Sequence, residues 1–269
     1  MMHPLEFRVL DLPEVSRHAT ATLVLGQHRA VLLGAGLRLA DGRRLVREVS
    51  RSGRRLGAVL VPHHAPEYWL AAEVLREAFP DAAVLAPDAV RARIERDYPA
   101  VRAAWAPLGA ELPSRLVALE PLPGDAVELE DHRLEWRGAS LALPDLHYLW
   151  EHRSRTLLGG QLLWQDVHPW LAEVPHAAQR EAWIDLLDEM AALEPSRTVA
   201  GHRLLSPAAP APDPLGWTAD YLRGFATELG KPVGPEAVTA AVLRRHPSAA
   251  LPSAVAPAVR AARAEPAAA

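Results

Sequence analysis

The stretch Val61-Pro-His-His-Ala-Pro-Glu-Tyr-Trp-Leu70 constrains this chain most. It follows an apolar run, Ala58–Val61, and precedes a helix-like segment, Trp69–Phe79. A buried strand that ends in a His-rich turn and opens a helix is a place where a fold can present metal ligands.

The flanking segments alternate between the two periods. Thr20–Leu25 and Ala30–Leu33 are β-rich runs joined by Gly26-Gln-His-Arg29, which predicts a hairpin. Leu45, Val46 and Val49 recur at helix spacing within Asp41–Ser52, and Gly53 ends that helix. Leu56–Val61 and Ala82–Ala86 are short buried strands, with a helix expected over Pro66–Ala78 and another from Pro87. Such alternation predicts layered α/β packing. Ala104–Pro123, rich in Pro, Leu and Trp, is expected to form a lid or wall. A second β-rich block follows: Ala126–Leu129, His132–Arg137, Leu146–Trp150 and Thr156–Leu158. Gln179–Leu193, Gly216–Gly230 and Pro235–Arg245 are expected helices. Pro247–Ala269 lacks a sustained apolar face and is expected to be a loosely ordered tail, leaving 1–246 as the domain.

These phrases together resemble the metallo-β-lactamase superfamily over roughly residues 15 to 246. The turn is similar to the T-H-x-H-x-D-H signature: Pro62 stands for Thr and His63 matches the first His. Ala65, Glu67 and Tyr68 stand for the second His, the Asp and the third His. Gly34 takes the place of the Asp that ends the opening hairpin. Gly138-Ala-Ser140 resembles the G-H-[ST] turn, with Ala139 for its His. Leu157-Leu-Gly-Gly-Gln161 resembles the strand whose Asp bridges two metals, with Gln161 in that place. Pro195–His202 is close to the late strand end, and His202 is kept. The resemblance implies a four-layer αββα sandwich.

It also implies a dinuclear hydrolase centre of about six side-chain ligands, and here the sequence departs. Ala65 and Ala139 cannot coordinate, a phenol such as Tyr68 binds zinc poorly, and the neutral amide of Gln161 cannot bridge two dications. The expectation is no cofactor, with one Zn or Fe ion on His63, Glu67 and His202 as the alternative. His64 is expected to point away from His63 by strand alternation, unless the turn is remodelled. Gly34 and Gly36 are expected in tight turns. Three functions follow. A metal-free member would bind a small molecule or partner in the vestigial cleft, around His64, Tyr68, Gln161, Ala139 and Gly34. An atypical hydrolase would use one ion on ester, lactone, thioester or β-lactam bonds. A metal-independent enzyme would use His63 with Glu67 as a general base pair.

Composition narrows the partners. The 269 residues carry a net charge of −4, with acids and bases interspersed, so no basic stripe argues for nucleic acid and no polybasic segment for a membrane. There is no cysteine, which excludes disulfides and thiolate zinc. No secretory signal or run of ~18 apolar residues is read, and a cytoplasmic location is expected. No G-x-S-x-G elbow, P-loop or G-x-G-x-x-G motif is present.

Overall fold

The computed structural model describes residues 3–206 and 210–264. Its first sheet has six strands in the order β1 (Glu6–Asp11), β2 (Thr20–Leu25), β3 (Arg29–Leu33), β4 (Arg55–Leu60), β5 (Ala83–Ala86), β6 (Glu120–Pro121). The opening strands pair antiparallel, and β3 to β6 run parallel. The parallel part needs crossovers, supplied by α1 (Leu39–Ser52), α2 (Ala72–Ala78) and α3 (Asp88–Ala104). The second sheet places β7 (Ala126–Leu129), β8 (His132–Gly138), β9 (His147–Glu151) and β10 (Thr156–Leu158) side by side. A short β11 (Trp164–Gln165) leaves this sheet, and β12 (Arg197–Val199) joins it beside β10. β13 (His202–Arg203) pairs with β11. The helices α4 (Ala177–Ala192), α5 (Pro214–Leu229), α6 (Pro235–Arg245) and α7 (Val255–Ala264) complete the chain.

Three apolar clusters correspond to three interfaces between four layers. Leu23, Leu32, Leu45, Val59 and Leu75 join the first sheet to α1 and α2. Val24, Val31, Leu60, Leu134, Leu149 and Leu158 lie between the sheets. Leu157, Trp183, Leu187, Leu222, Val242 and Val259 join the second sheet to the later helices. Both faces of β2 are buried throughout, as a strand between two covered layers must be. The expected αββα sandwich is therefore the observed one.

Two expectations need correction. The segment from Pro66 is not one helix: Pro66–Tyr68 forms a 3-10 turn and α2 begins at Ala72. Trp69, at φ −142°, breaks the run, and its indole N–H donates to the His64 carbonyl at 2.7 Å. Pro247–Ala264 is not a loose tail. Ala250 bridges to Val167, and α7 buries Val255, Ala258 and Val259 in the core. Residues 265–269 lie outside the described residues. Ala104–Pro123 contains a 3-10 segment, Ala106–Glu111, and the edge strand β6. Gly34 and Gly36 adopt φ of +84° and +86°, which fits the expected tight turns.

Glu130 ties the first hairpin to the turn between β7 and β8. It accepts from the backbone N–H groups of Gln27, His28 and Arg29 at 2.7, 2.7 and 2.9 Å. The His28 bond, with those of Gln27 and Arg29, holds its carboxyl down at about 2. The folded value lies below the ordinary one. The stabilisation is therefore full above about pH 4.5 and fades as pH falls toward 2. Glu130→Ala is expected to cost about 1 kcal/mol at pH 7, since water partly replaces the carboxylate, and to converge on the parent in acid. Urea unfolding at two pH values measures this.

Candidate functional site

The site forms where β4 gives way to the His turn, β10 and β12 end, and β13 begins at His202. β4 stops at Leu60, so His63 and His64 sit in a bend rather than in a strand. Strand alternation no longer applies, and the two imidazoles lie with ring centroids 3.9 Å apart. The expected divergence of His64 from His63 is thus corrected by a remodelled turn. The His63 Nδ1 accepts the Ala65 backbone N–H at 3.0 Å. Burial, and the positive neighbour His64, push the His63 pKa well below its usual value. His63 is neutral and carries its proton on Nε2.

His64 stands between two carboxylates. Its Nε2 is 2.7 Å from Glu173 and its Nδ1 is 2.9 Å from Asp145, the latter an ion pair off the hydrogen-bond direction. Burial would lower the His64 pKa, but Asp145 and Glu173 outweigh it and the net shift is upward. The same two carboxylates take the Arg93 guanidinium at 2.8 and 2.9 Å. Although burial opposes it, His64 and Arg93 hold the Asp145 carboxyl well below the usual range. Two cations and two anions therefore balance within a few ångströms. His63, His64 and Asp145 also bring one ligand atom each within 4.8 Å of one another, the only such group of three among the described residues.

His202 and Glu67 form a separate, fully buried pair off the cavity lining. Both are buried, and His202 Nε2 is 3.6 Å from a Glu67 oxygen. His63, Glu67 and His202 do not close into one group of the same tightness. His202 Nδ1 lies 2.9 Å from the Arg17 carbonyl, and Nε2 lies 3.0 Å from the Gln161 carboxamide. Burial drives the His202 pKa down to about 3, so the ring is neutral. Its one proton goes from Nδ1 to the Arg17 carbonyl, which makes Nε2 an acceptor. The carboxamide must then meet Nε2 with its NH2, an exchange of N and O ends that geometry permits. Trp164 stacks on the His202 ring at 3.8 Å and 5°. Its indole N–H donates to the Gln161 carbonyl at 2.8 Å.

Neither Glu67 oxygen has a hydrogen-bond partner, and neither does the Tyr68 hydroxyl. Burial raises the pKa of both, against the pull of Arg17 on Glu67. Tyr68 fills the space against Gly201, where an added Cβ would lie 2.5 Å from its hydroxyl and 1.9 Å from the Gly160 carbonyl. Only glycine allows that approach. Gly34 and Ala139 contribute no side-chain donor.

A cavity of about 350 Å³ opens over this region. Its lining includes His63, His64 and Gln161 from the expected set. It also includes Arg17, Arg93, Glu173, Trp105 and Trp170, so Trp105 makes the Ala104–Pro123 segment part of the wall. Arg17, Arg93, Asp145 and Glu173 escape sequence reasoning. Arg93 is 52 residues from Asp145 and 80 from Glu173, so no local spacing announces them.

A family model described as the metallo-beta-lactamase superfamily matches residues 17–202. No curated protein matches the sequence. Among solved structures, a beta-lactamase domain protein from Burkholderia ambifaria is 16% identical, with TM-score 0.65 over 96% of this chain and 84% of the other. A metallo-beta-lactamase family protein from Thermus thermophilus is 17% identical, with TM-score 0.64 over 95% and 93%. The DIM-1 metallo-beta-lactamase is 13% identical, with TM-score 0.55 over 81% and 91%. At such identities these structures share the fold alone. The family model spans most of the chain, and on that ground the chain belongs to the metallo-β-lactamase superfamily.

Proposed function

We propose that this protein keeps the superfamily scaffold without a two-metal hydrolytic centre, and that its cleft binds a small molecule. The carrying observation is the pairing of His202 with Gln161 at 3.0 Å. The residue standing where a bridging carboxylate is expected instead occupies the lone pair of the late His. The donor set around it does not fit two zinc ions. Ala65 and Ala139 offer nothing, and the Tyr68 phenol is held neutral by burial. Glu67 is raised by burial and stays protonated more readily than a zinc ligand should. The cavity of about 350 Å³ supports the small-molecule part of the reading.

A second reading rests on the convergence of His63, His64 and Asp145. These residues could hold one zinc ion, which would supply a Lewis acid at the cavity wall. His64 would have to give up one of the two ring protons that Asp145 and Glu173 stabilise, so binding would strengthen as pH rises. Arg93 would remain paired to both carboxylates.

Metal analysis separates the readings. Protein purified without added zinc, then equilibrated with zinc and desalted, is expected to retain fewer than two ions per chain. Two firmly held ions would overturn the proposal. One ion that is lost in Asp145→Asn but kept in Glu67→Gln establishes the second reading, with hydrolysis then assayed on ester and lactone substrates.

A further inference from the structure

Arg17 is the least compensated cation of the cleft. Its guanidinium sits between two indoles, 5.4 Å from the Trp105 centroid and 4.9 Å from that of Trp170. Its nearest acid is Glu67, at 3.9 Å, beyond hydrogen-bond reach. The side chain makes no hydrogen bond to another described residue, and it is 25% exposed, into the cavity it lines. The backbone that carries it is anchored. Arg17 adopts φ +57° and its carbonyl receives the His202 proton. Sandwiching rings restrict a guanidinium and weaken its hydration, which prepares its N–H edge for a planar anion.

The rest of the cavity states what that anion must be attached to. Trp69, Ile94, Val101, Ala104, Trp105 and Trp170 form apolar walls. The second arginine, Arg93, is already matched by Asp145 and Glu173. Asp97, also on the lining, is taken by Arg96 at 2.7 Å, so the charges on the far side are already matched and no cation there is left for a second negative charge.

Resting on the reading of the cleft as a small-molecule site, we infer that its ligand is a monocarboxylate with an apolar or aromatic body, its carboxylate held by Arg17 between Trp105 and Trp170. Arg17 presents parallel N–H donors, the match for a carboxylate. The apolar body replaces water along the tryptophan wall. A dianionic phosphate ester would meet one free cation and a far wall whose cations are already paired.

The test compares three probes of one shape on the full chain: phenylacetate, phenylacetamide and phenyl phosphate. Binding is read by quenching of tryptophan fluorescence and by ligand-observed NMR. Phenylacetate is expected to bind with a Kd on the order of 1 mM, as suits a fragment of its size. The amide and the phosphate are expected to bind at least about tenfold more weakly. Arg17→Met should remove the preference for phenylacetate while leaving the amide unchanged, and Arg17→Lys should restore part of it. If Arg17→Met does not fold, Arg17→Gln and a salt titration of the parent serve instead. Arg17→Gln should likewise remove the preference, and in the parent phenylacetate affinity should fall with salt while that of the amide does not. Equal binding of acid and amide overturns the inference and leaves the small-molecule reading standing. Preferred binding of phenyl phosphate, or no binding of any probe, also overturns it. Two bound metal ions would instead remove the reading beneath it.

Discussion

Trp164→Ala is expected to destabilise the protein by about 3 to 5 kcal/mol, the range for truncating a buried aromatic side chain. Trp164 is fully buried on β11, stacked on His202 at 3.8 Å. Its backbone N–H donates to the Thr218 hydroxyl at 2.9 Å, so β11 is pinned to α5 as well as to β13. Truncation opens a cavity under the imidazole and leaves the buried Gln161 carbonyl without its indole donor. Since a kcal/mol moves the midpoint of a domain this large by about 2 to 4 °C, a drop of about 10 °C is expected in a thermal melt. Trp164→Phe keeps a ring against His202 but loses the N–H, and should cost about 1 to 2 kcal/mol. A loss below about 1 kcal/mol for Trp164→Ala would show that the wall behind His202 is not packed as described.

Much of this layer arrangement can be read from residue order, and the reasons are local. The hairpin of Thr20–Leu25 and Arg29–Leu33 has β-rich runs around a Gly-bearing turn, and α6 begins and ends at the expected Pro235 and Arg245. α7 escapes because its buried face is Val255, Ala258 and Val259. Alanine adds little to an apolar pattern, and Pro252 and Pro257 argue against a helix. Yet Pro257 falls in the first turn of α7, where a missing N–H is tolerated.

The cleft divides the same way. His63, Glu67, Tyr68, Gln161 and His202 lie on motif phrases and can be found by their order. The partners that set the protonation of His64 cannot. Asp145 precedes β9, Arg93 rises from α3 and Glu173 lies in the 3-10 turn Leu171–Glu173. They meet at His64 only because the layers fold together. The remodelled bend after β4 is equally hidden, since a strand running to Val61 gives the same residue pattern as one that stops at Leu60.

Replacing Glu67 by Met is expected to stabilise the protein, by about 1 to 3 kcal/mol near neutral pH. The side chain is wholly buried and neither oxygen is hydrogen bonded; its neighbours are the neutral His202 ring, whose Nε2 at 3.6 Å is an acceptor, and the loose approach of Arg17 at 3.9 Å, so its desolvation is poorly compensated. Met has nearly the same length and no group that needs a partner. The sign of the pH dependence follows from the upward shift. Below the ordinary carboxyl value of 4.5, both folded and unfolded chains hold the proton and only the orphaned polar atoms cost stability. As pH rises from there, the unfolded chain releases the proton first, and folding is penalised progressively until the folded carboxyl also ionises. Glu67→Met should therefore gain less at pH 4 than at pH 8. Urea unfolding of parent and variant at both values measures the difference. If Glu67→Met is instead destabilising at pH 8, and zinc stabilises the parent but not the variant, Glu67 is holding a cation. A buried carboxyl without a partner would then be the wrong description of Glu67.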